Sequence, residues 1–227
     1  MCGRYSLFDT DRLYERFNVS RDNHVPLPDR YNVTPYQTMP VITNDGTNRL
    51  HLMRWGLIPR WAKLSPRPRL IINARAATLA AKATFRPSLI SQRCLVPASG
   101  YFEWQNTGSH KQPFFFHFPN NLIFAFAGLY DTAPHPPDHE ALDTYTIITT
   151  NAPDNISYIY PRMPVILDRS QENFWLDPDQ ADPDMLTEFL TTMTEPKLIA
   201  HPVSPLVNNP GNDSPDQIKT IKLLRHD

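Results

Sequence analysis

A cysteine stands directly after the start methionine in Met1-Cys2-Gly3-Arg4. A small second residue normally permits methionine removal, so the mature chain is expected to begin with Cys2, a free α-amine beside a thiol. Such an amine titrates at about 7.7–8.0, leaving a useful neutral fraction at physiological pH. The thiol, near 8.5 when unperturbed, is open to activation by neighbouring cations. A 1,2-aminothiol can attack an acyl carbon as a nucleophile. It can also condense with an aldehyde, first to a Schiff base and then to a thiazolidine ring. The plain alternative is that Cys2 merely happens to follow the start codon.

Other polar residues sit where a fold would rarely need them. Glu103 ends an apolar run in Ser99-Gly100-Tyr101-Phe102-Glu103-Trp104. A carboxyl between aromatics is raised in pKa by desolvation and can then serve as general acid and base; its other reading is a salt bridge to an arginine. Asn73 lies between an apolar strand and an alanine-rich segment, where it could equally be a helix N-cap. Thr149 and Thr150 close a β-branched run, and Arg162 sits in a rigid turn between Pro161 and Pro164. His51, His117 and His201 lie singly, without metal-ligand spacing, so neither a metal nor a cofactor is expected.

Charge is strongly asymmetric. Residues 1–93 hold 15 Lys+Arg and 6 Asp+Glu, whereas residues 94–227 hold 7 and 17. Between Asp45 and Glu103 lie ten basic residues and no acid: Arg49, Arg54, Arg60, Lys63, Arg67, Arg69, Arg75, Lys82, Arg86 and Arg93. Most are arginine, whose fork matches phosphate, and Trp55 and Trp61 stand among them. Basic groups interleaved with aromatics suit single-stranded nucleic acid; pairing with the acidic second half is the competing reading. Only Cys2 and Cys94 are present, without a CxxC pair, which argues against a disulfide scaffold or zinc knuckle. No apolar run is long enough to span a bilayer and no apolar leader opens the chain. A reducing compartment is expected, cytoplasmic in a bacterium or nuclear in a eukaryote.

These residues need elements to position them. The 24 prolines against 7 glycines predict short elements and rigid connections. Asp9 is placed to cap a short helix over 9–17. Strands are expected at 39–43 and 49–55, joined through Asn44-Asp45-Gly46 as a hairpin, and at 94–102, 113–118, 122–129, 144–150 and 163–167. Ala74–Ala83 reads as a helix capped by Asn73, Pro87 opens a second, and Asp182-Pro183 starts an amphipathic one with Met185, Leu186, Phe189, Leu190 and Met193 at helical spacing. The loop 59–68 is basic, and 133–143, with Pro134, Pro136 and Pro137, reads as a surface loop. The sum is a mixed α/β (α+β) single domain over 2–215, built on a twisted, barrel-like, mainly antiparallel sheet flanked by short helices, with a tail over 216–227.

Taken in order, Met-Cys-Gly-Arg-Tyr at the start, Arg54-Trp55-Gly56-Leu57-Ile58-Pro59, Ile72-Asn73-Ala74-Arg75-Ala76 and Tyr101-Phe102-Glu103-Trp104 resemble the SRAP family, the SOS-response-associated peptidases or abasic site processing proteins. So do Lys111-Gln112-Pro113-Phe114, Thr149-Thr150-Asn151-Ala152, Arg162-Met163-Pro164 and His201-Pro202-Val203-Ser204. The resemblance implies that Cys2, freed by self-cleavage or an aminopeptidase, traps the aldehyde of an abasic site in single-stranded DNA as a thiazolidine crosslink. It implies that Asn73 positions the opened sugar and Glu103 relays protons. Arg4 and Arg75 would hold flanking phosphates, with Thr149 and Arg162 also at the DNA, and Trp55 would line the groove. A monomer without cofactor, off the membrane, is implied.

Two positions depart from the family pattern: Tyr160 stands where histidine is usual, and Ala77 where glutamate is usual. A phenol ordinarily titrates near pH 10 and is a poor proton shuttle at neutrality, so altered crosslink turnover is expected. The rival chemistry is a glutamine amidotransferase-like N-terminal-nucleophile hydrolase, whose chains also begin Met-Cys-Gly. A non-catalytic binder of single-stranded nucleic acid is the rival without chemistry.

Overall fold

The computed structural model describes residues 2–20, 25–62, 70–120, 122–133, 141–192 and 196–223. The expectations placed on Met1, Lys63, Arg67, Arg69, Pro134, Pro136, Pro137 and Met193 lie outside them.

Among the described residues the strands are thirteen: β1 (Tyr5–Leu7), β2 (Arg30–Val33), β3 (Thr38–Asn44), β4 (Asn48–Trp55), β5 (Asn73–Arg75), β6 (Arg93–Ala98), β7 (Gly100–Asn106), β8 (Lys111–His117), β9 (Phe124–Ala133), β10 (Leu142–Asn151), β11 (Arg162–Pro164), β12 (Ile166–Leu167) and β13 (Ile199–Pro202). The helices are short: α1 (Leu13–Arg16), α2 (Arg86–Ser91), α3 (Asp154–Ser157), α4 (Arg169–Leu176) and α5 (Pro183–Thr191).

One sheet closes on itself. β10 pairs β4, β4 pairs β3, β3 pairs β6, β6 pairs β9, and β9 returns to β10. Closure removes the open edges of these strands. All of these pairings are antiparallel except β10–β4. Beyond the ring, β10 extends past β4 and β9, and there it pairs β5 in parallel on one edge and β11 antiparallel on the other. The second sheet runs β13-β8-β7-β1-β2. It packs on the ring through Tyr5, whose ring meets Trp55 at 5.2 Å and Phe126 at 6.0 Å, both edge-on. The expected α+β domain on a barrel-like, mainly antiparallel sheet is the architecture observed.

Several local details differ from expectation. Cys94–Phe102 is two strands, broken at Ser99, because the chain passes there from the ring (β6) to the second sheet (β7). Gly100 is required at that corner, since an added Cβ would sit 2.2 Å from the Phe115 ring. Residues 9–17 split into a 3-10 turn at Thr10–Arg12 and α1. The Asp9 side chain makes no cap hydrogen bond and its backbone adopts φ 58°, while Leu13 and Phe17 are buried. The alanine-rich helix does not form: β5 occupies 73–75 and a single 3-10 turn follows at Ala76–Thr78. Alanine's intrinsic preference amounts to tenths of a kcal/mol per residue, and pairing to β10 overrides it. Asp182 does cap α5, accepting from the Asp184 and Met185 amides. The Asn44–Asn48 hairpin is present, with Gly46 at φ 108°, a conformation that favours glycine.

Candidate functional site

The site is built where β1 meets β7 and where β5, β10 and β11 lie side by side. Tyr5 pairs with Tyr101 and Ser6 with Gly100, and the Phe102 amide donates to the Arg4 carbonyl at 2.9 Å. Continuing that antiparallel register sets Gly3 opposite Glu103. On the other side, Asn73 pairs with Ile147, Arg75 with Thr149, and Arg162 with Asn151. The Asn73 side-chain amide donates to the Cys2 carbonyl at 2.8 Å, tying the two groups together. Asn73 is therefore the first residue of a strand and not a helix cap.

Burial sets the electrostatics. Cys2 is fully buried, and its thiol makes a long contact of 3.6 Å to the Arg4 carbonyl. Burial, reinforced by the Glu103 carboxylate, drives the thiol far above its usual pKa. This corrects the expectation of a thiol activated by cations, because desolvation outweighs any nearby positive charge. Glu103 is 3% exposed, and burial raises its carboxyl to about 7, against the opposing pull of the chain's N-terminal ammonium and, more weakly, of Arg162. A carboxyl with that value gives and accepts protons equally well at neutral pH. Arg162 donates from Nη2 to the Thr149 hydroxyl, which itself donates to the Ala74 carbonyl at 3.3 Å. Burial and then Arg75 lower the Arg162 pKa.

Arg4 is half-buried and turned toward the C-terminal segment, its Nη1 donating to Asn32 Oδ1 at 2.7 Å and to the Val207 carbonyl. Around Cys2, Arg4 Nε, Asn73 Oδ1, the Tyr101 hydroxyl and Arg162 Nη1 are buried without a hydrogen-bond partner among the described residues. Buried polar groups are nearly always paired; outside this set Arg54 Nε, Gln92 Oε1 and the Thr146 hydroxyl are also without a partner among the described residues, and the four around Cys2 are open to a ligand's own donors and acceptors.

Two clefts open on either side of the Pro161-Arg162 turn. One, of about 620 Å³, is lined by Arg75, Ala77, Thr149, Thr150, Asn151 and Arg162 among others. The second, of about 770 Å³, contains Glu103, Trp104, Lys111, Tyr158, Tyr160 and Asn208. The structure thus brings Cys2, Asn73 and Glu103 together, with Arg75, Thr149 and Arg162 in the first cleft and Tyr160 beside Glu103 in the second.

Trp55 is a correction. It is fully buried, its indole N–H donates to the Ile72 carbonyl at 2.9 Å, and its ring lies between Tyr5 and Tyr145. It lines no groove, because β4 is a barrel strand and Trp55 points into the core. Trp61, 61% exposed, is the outward tryptophan of the basic stretch. That stretch divides between both readings. Arg60 pairs with Asp131 at 2.8 Å and Arg93 donates to the Trp175 and Asp177 carbonyls, whereas Arg75 is exposed and makes no ion pair among the described residues. His117 and His201 each hold a backbone carbonyl, of Phe118 and Ile218.

Comparison with known proteins places this arrangement. Residues 1–210 match the family described as SOS response associated peptidase (SRAP). The chain is 42% identical over 226 residues to the abasic site processing protein YoqW of Bacillus subtilis, covering 97% of this chain and 100% of that one. It is 33% identical over 226 residues to the abasic site processing protein HMCES of Gallus gallus, covering 85% of this chain and 66% of the relative. In three dimensions it is similar to a crystal structure of a protein from Bacteroides thetaiotaomicron, with a TM-score of 0.86, 27% identity, and 97% and 100% of the two chains covered. Among the described residues no helix is long and apolar enough to cross a membrane.

Proposed function

Since the chain belongs to the SOS response associated peptidase (SRAP) family, we propose that it processes abasic sites in DNA by trapping the lesion's aldehyde on Cys2. The observation that carries this reading is the Asn73–Cys2 hydrogen bond of 2.8 Å in a site whose buried carboxyl, Glu103, titrates at about 7.

The chemistry balances without a cofactor. With Met1 removed, the neutral Cys2 amine adds to the open-chain aldehyde. The carbinolamine loses water once its hydroxyl is protonated, giving a Schiff base. The Schiff base keeps the nitrogen's own proton as an iminium; the thiol gives its proton to the Glu103 carboxylate, sulfur adds to the iminium carbon, and the thiazolidine closes with Glu103 back in its acid form. Glu103 in its acid form supplies the proton for water loss, and as carboxylate takes one from the thiol. That second task follows from burial: a thiol held far above its usual pKa needs a base at the moment of attack.

Asn73 fixes the Cys2 backbone, and its Oδ1, unpartnered among the described residues, is free to accept from the Cys2 amine or from a hydroxyl of the incoming sugar. Arg75 and Arg162 hold the flanking phosphates in the first cleft, with Thr149 locking the Arg162 guanidinium. Arg4 orients the β1 entry strand through Asn32 and Val207. A single strand fits this use, because the sugar must leave the stack to reach a buried thiol, and one chain holds the whole set of groups. Reaction with an oligonucleotide bearing one abasic site, with Cys2→Ala as control, is the test.

A further inference from the structure

The cleft of about 770 Å³ beside Glu103 has no part in the chemistry above beyond Glu103 itself. Its remaining wall is unusual. Tyr158, at the C-terminal end of α3, is 63% exposed, and its ring makes no hydrogen bond or ring contact among the described residues. Its backbone is held in place, since Gln105 Nε2 donates to its carbonyl at 3.4 Å. Lys111, on the neighbouring strand β8, is exposed and makes no ion pair among the described residues. Trp104 is already engaged, its indole N–H donating to Asn208 Oδ1 at 2.7 Å and the Arg4 guanidinium lying 5.9 Å from its ring.

A DNA strand whose abasic sugar sits at Cys2 must leave the site on both sides. Arg75 and Arg162 occupy one exit. The other exit is this cleft, because Glu103 lies in its wall and Pro161-Arg162 separates it from the first. It offers a planar aromatic face and a cation, which are the two groups that bind a nucleotide without reading its sequence. We propose that this cleft binds the nucleotide adjoining the lesion, with Tyr158 stacking on its base and Lys111 meeting its phosphate. The proposal rests on the abasic-site reading and assigns that reaction a second anchoring point.

The probe is a set of single-stranded oligonucleotides carrying one tetrahydrofuran abasic analogue, which has no aldehyde and binds without reacting. One has nucleotides on both sides of the analogue, one only on the 5′ side and one only on the 3′ side. Fluorescence anisotropy then compares the wild-type protein with Tyr158→Ala, Tyr158→Phe and Lys111→Ala. Tyr158→Ala is expected to weaken binding about tenfold on the two-armed probe and on one single-armed probe, and to leave the other unchanged. Tyr158→Phe keeps the aromatic face and stays near wild type, while Lys111→Ala lowers the salt slope by about 0.7. Unchanged binding of Tyr158→Ala to the two-armed probe, equal losses on both single-armed probes, or a loss in Tyr158→Phe equal to that in alanine would each overturn the proposal. Covalent capture of a true abasic site by the wild-type protein is measured separately, so failure of the underlying reaction is distinguishable from failure of this subsite.

Discussion

The side chain of Asn73 donates a hydrogen bond to the backbone carbonyl of Cys2 across 2.8 Å, joining residues 71 positions apart. It is the link between β5, which carries Arg75, and the segment leading into β1, which carries Cys2. Asn73→Ala removes the tether while leaving both strands paired. Adduct formation with an abasic oligonucleotide is expected to slow about tenfold, the equivalent of one positioning hydrogen bond. Single-turnover rates at saturating DNA test this, and an unchanged rate would remove Asn73 from the reaction.

Glu103 ties activity to stability through pH. Its carboxyl titrates at about 7 in the fold, against 4.5 for an exposed glutamate. Between those values the folded chain keeps a proton that the unfolded chain has lost. Its contribution to stability is therefore full below about pH 4.5 and disappears as pH rises through about 7. Glu103→Gln should abolish that loss, making the protein more stable at pH 8 by on the order of 3 kcal/mol at most, while slowing adduct formation by about 10²–10⁴. Denaturant titrations at pH 5 and pH 8 read the first effect. A variant that is both less stable at pH 8 and fully reactive would contradict both assignments.

Arg75 is exposed on β5 and should act on DNA alone. In Arg75→Ala, the slope of log affinity against log salt is expected to shrink by about 0.7, as for one single-strand phosphate contact. Unfolding free energy should change by no more than about 0.5 kcal/mol. Anisotropy titrations at several salt concentrations check this, and an unaltered salt slope would place the phosphate elsewhere.

Tyr160 shares a cleft with Glu103. Replacing it by histidine introduces a group that titrates near neutrality beside the carboxyl proposed to relay protons. Tyr160→His is expected to alter the time course of crosslink formation or of its reversal, followed by denaturing gels after DNA exchange. Superimposable time courses for the two proteins would show that this position does not move protons.

Much of this was legible in the chain before any coordinates. The α5 cap at Asp182, the hairpin around Gly46 and the long strands of the ring have local signals, namely capping chemistry, a turn dipeptide and β-branched runs. The failures share a cause. β1, β2, β5 and β13 have three or four residues each and exist because of partners 23 to 96 positions away, as in Leu7 with Arg30 and Tyr5 with Tyr101, so no local window reveals them. Asn73 reads as a cap from its neighbours and becomes a strand residue only because β10 lies alongside. Trp55, read with the arginines around it, suggests a groove, but alternation along β4 turns it inward while Arg54 and Leu52 face the other way. Tyr158 had no sequence signal at all, since only its exposure beside Glu103 distinguishes it. The charge asymmetry was visible, but whether each arginine meets an acid or a phosphate depends on long-range packing, as the contrast between Arg60 and Arg75 shows.

The central claim is that Cys2 captures an abasic aldehyde covalently. Purified protein with Met1 removed, mixed with a single-stranded oligonucleotide carrying one abasic site, is predicted to give a denaturation-resistant band of protein plus DNA. The band should be absent with Cys2→Ala, with a residue retained ahead of Cys2, and with the tetrahydrofuran analogue. No such band from the wild-type protein, or an equal band from Cys2→Ala, would contradict the account.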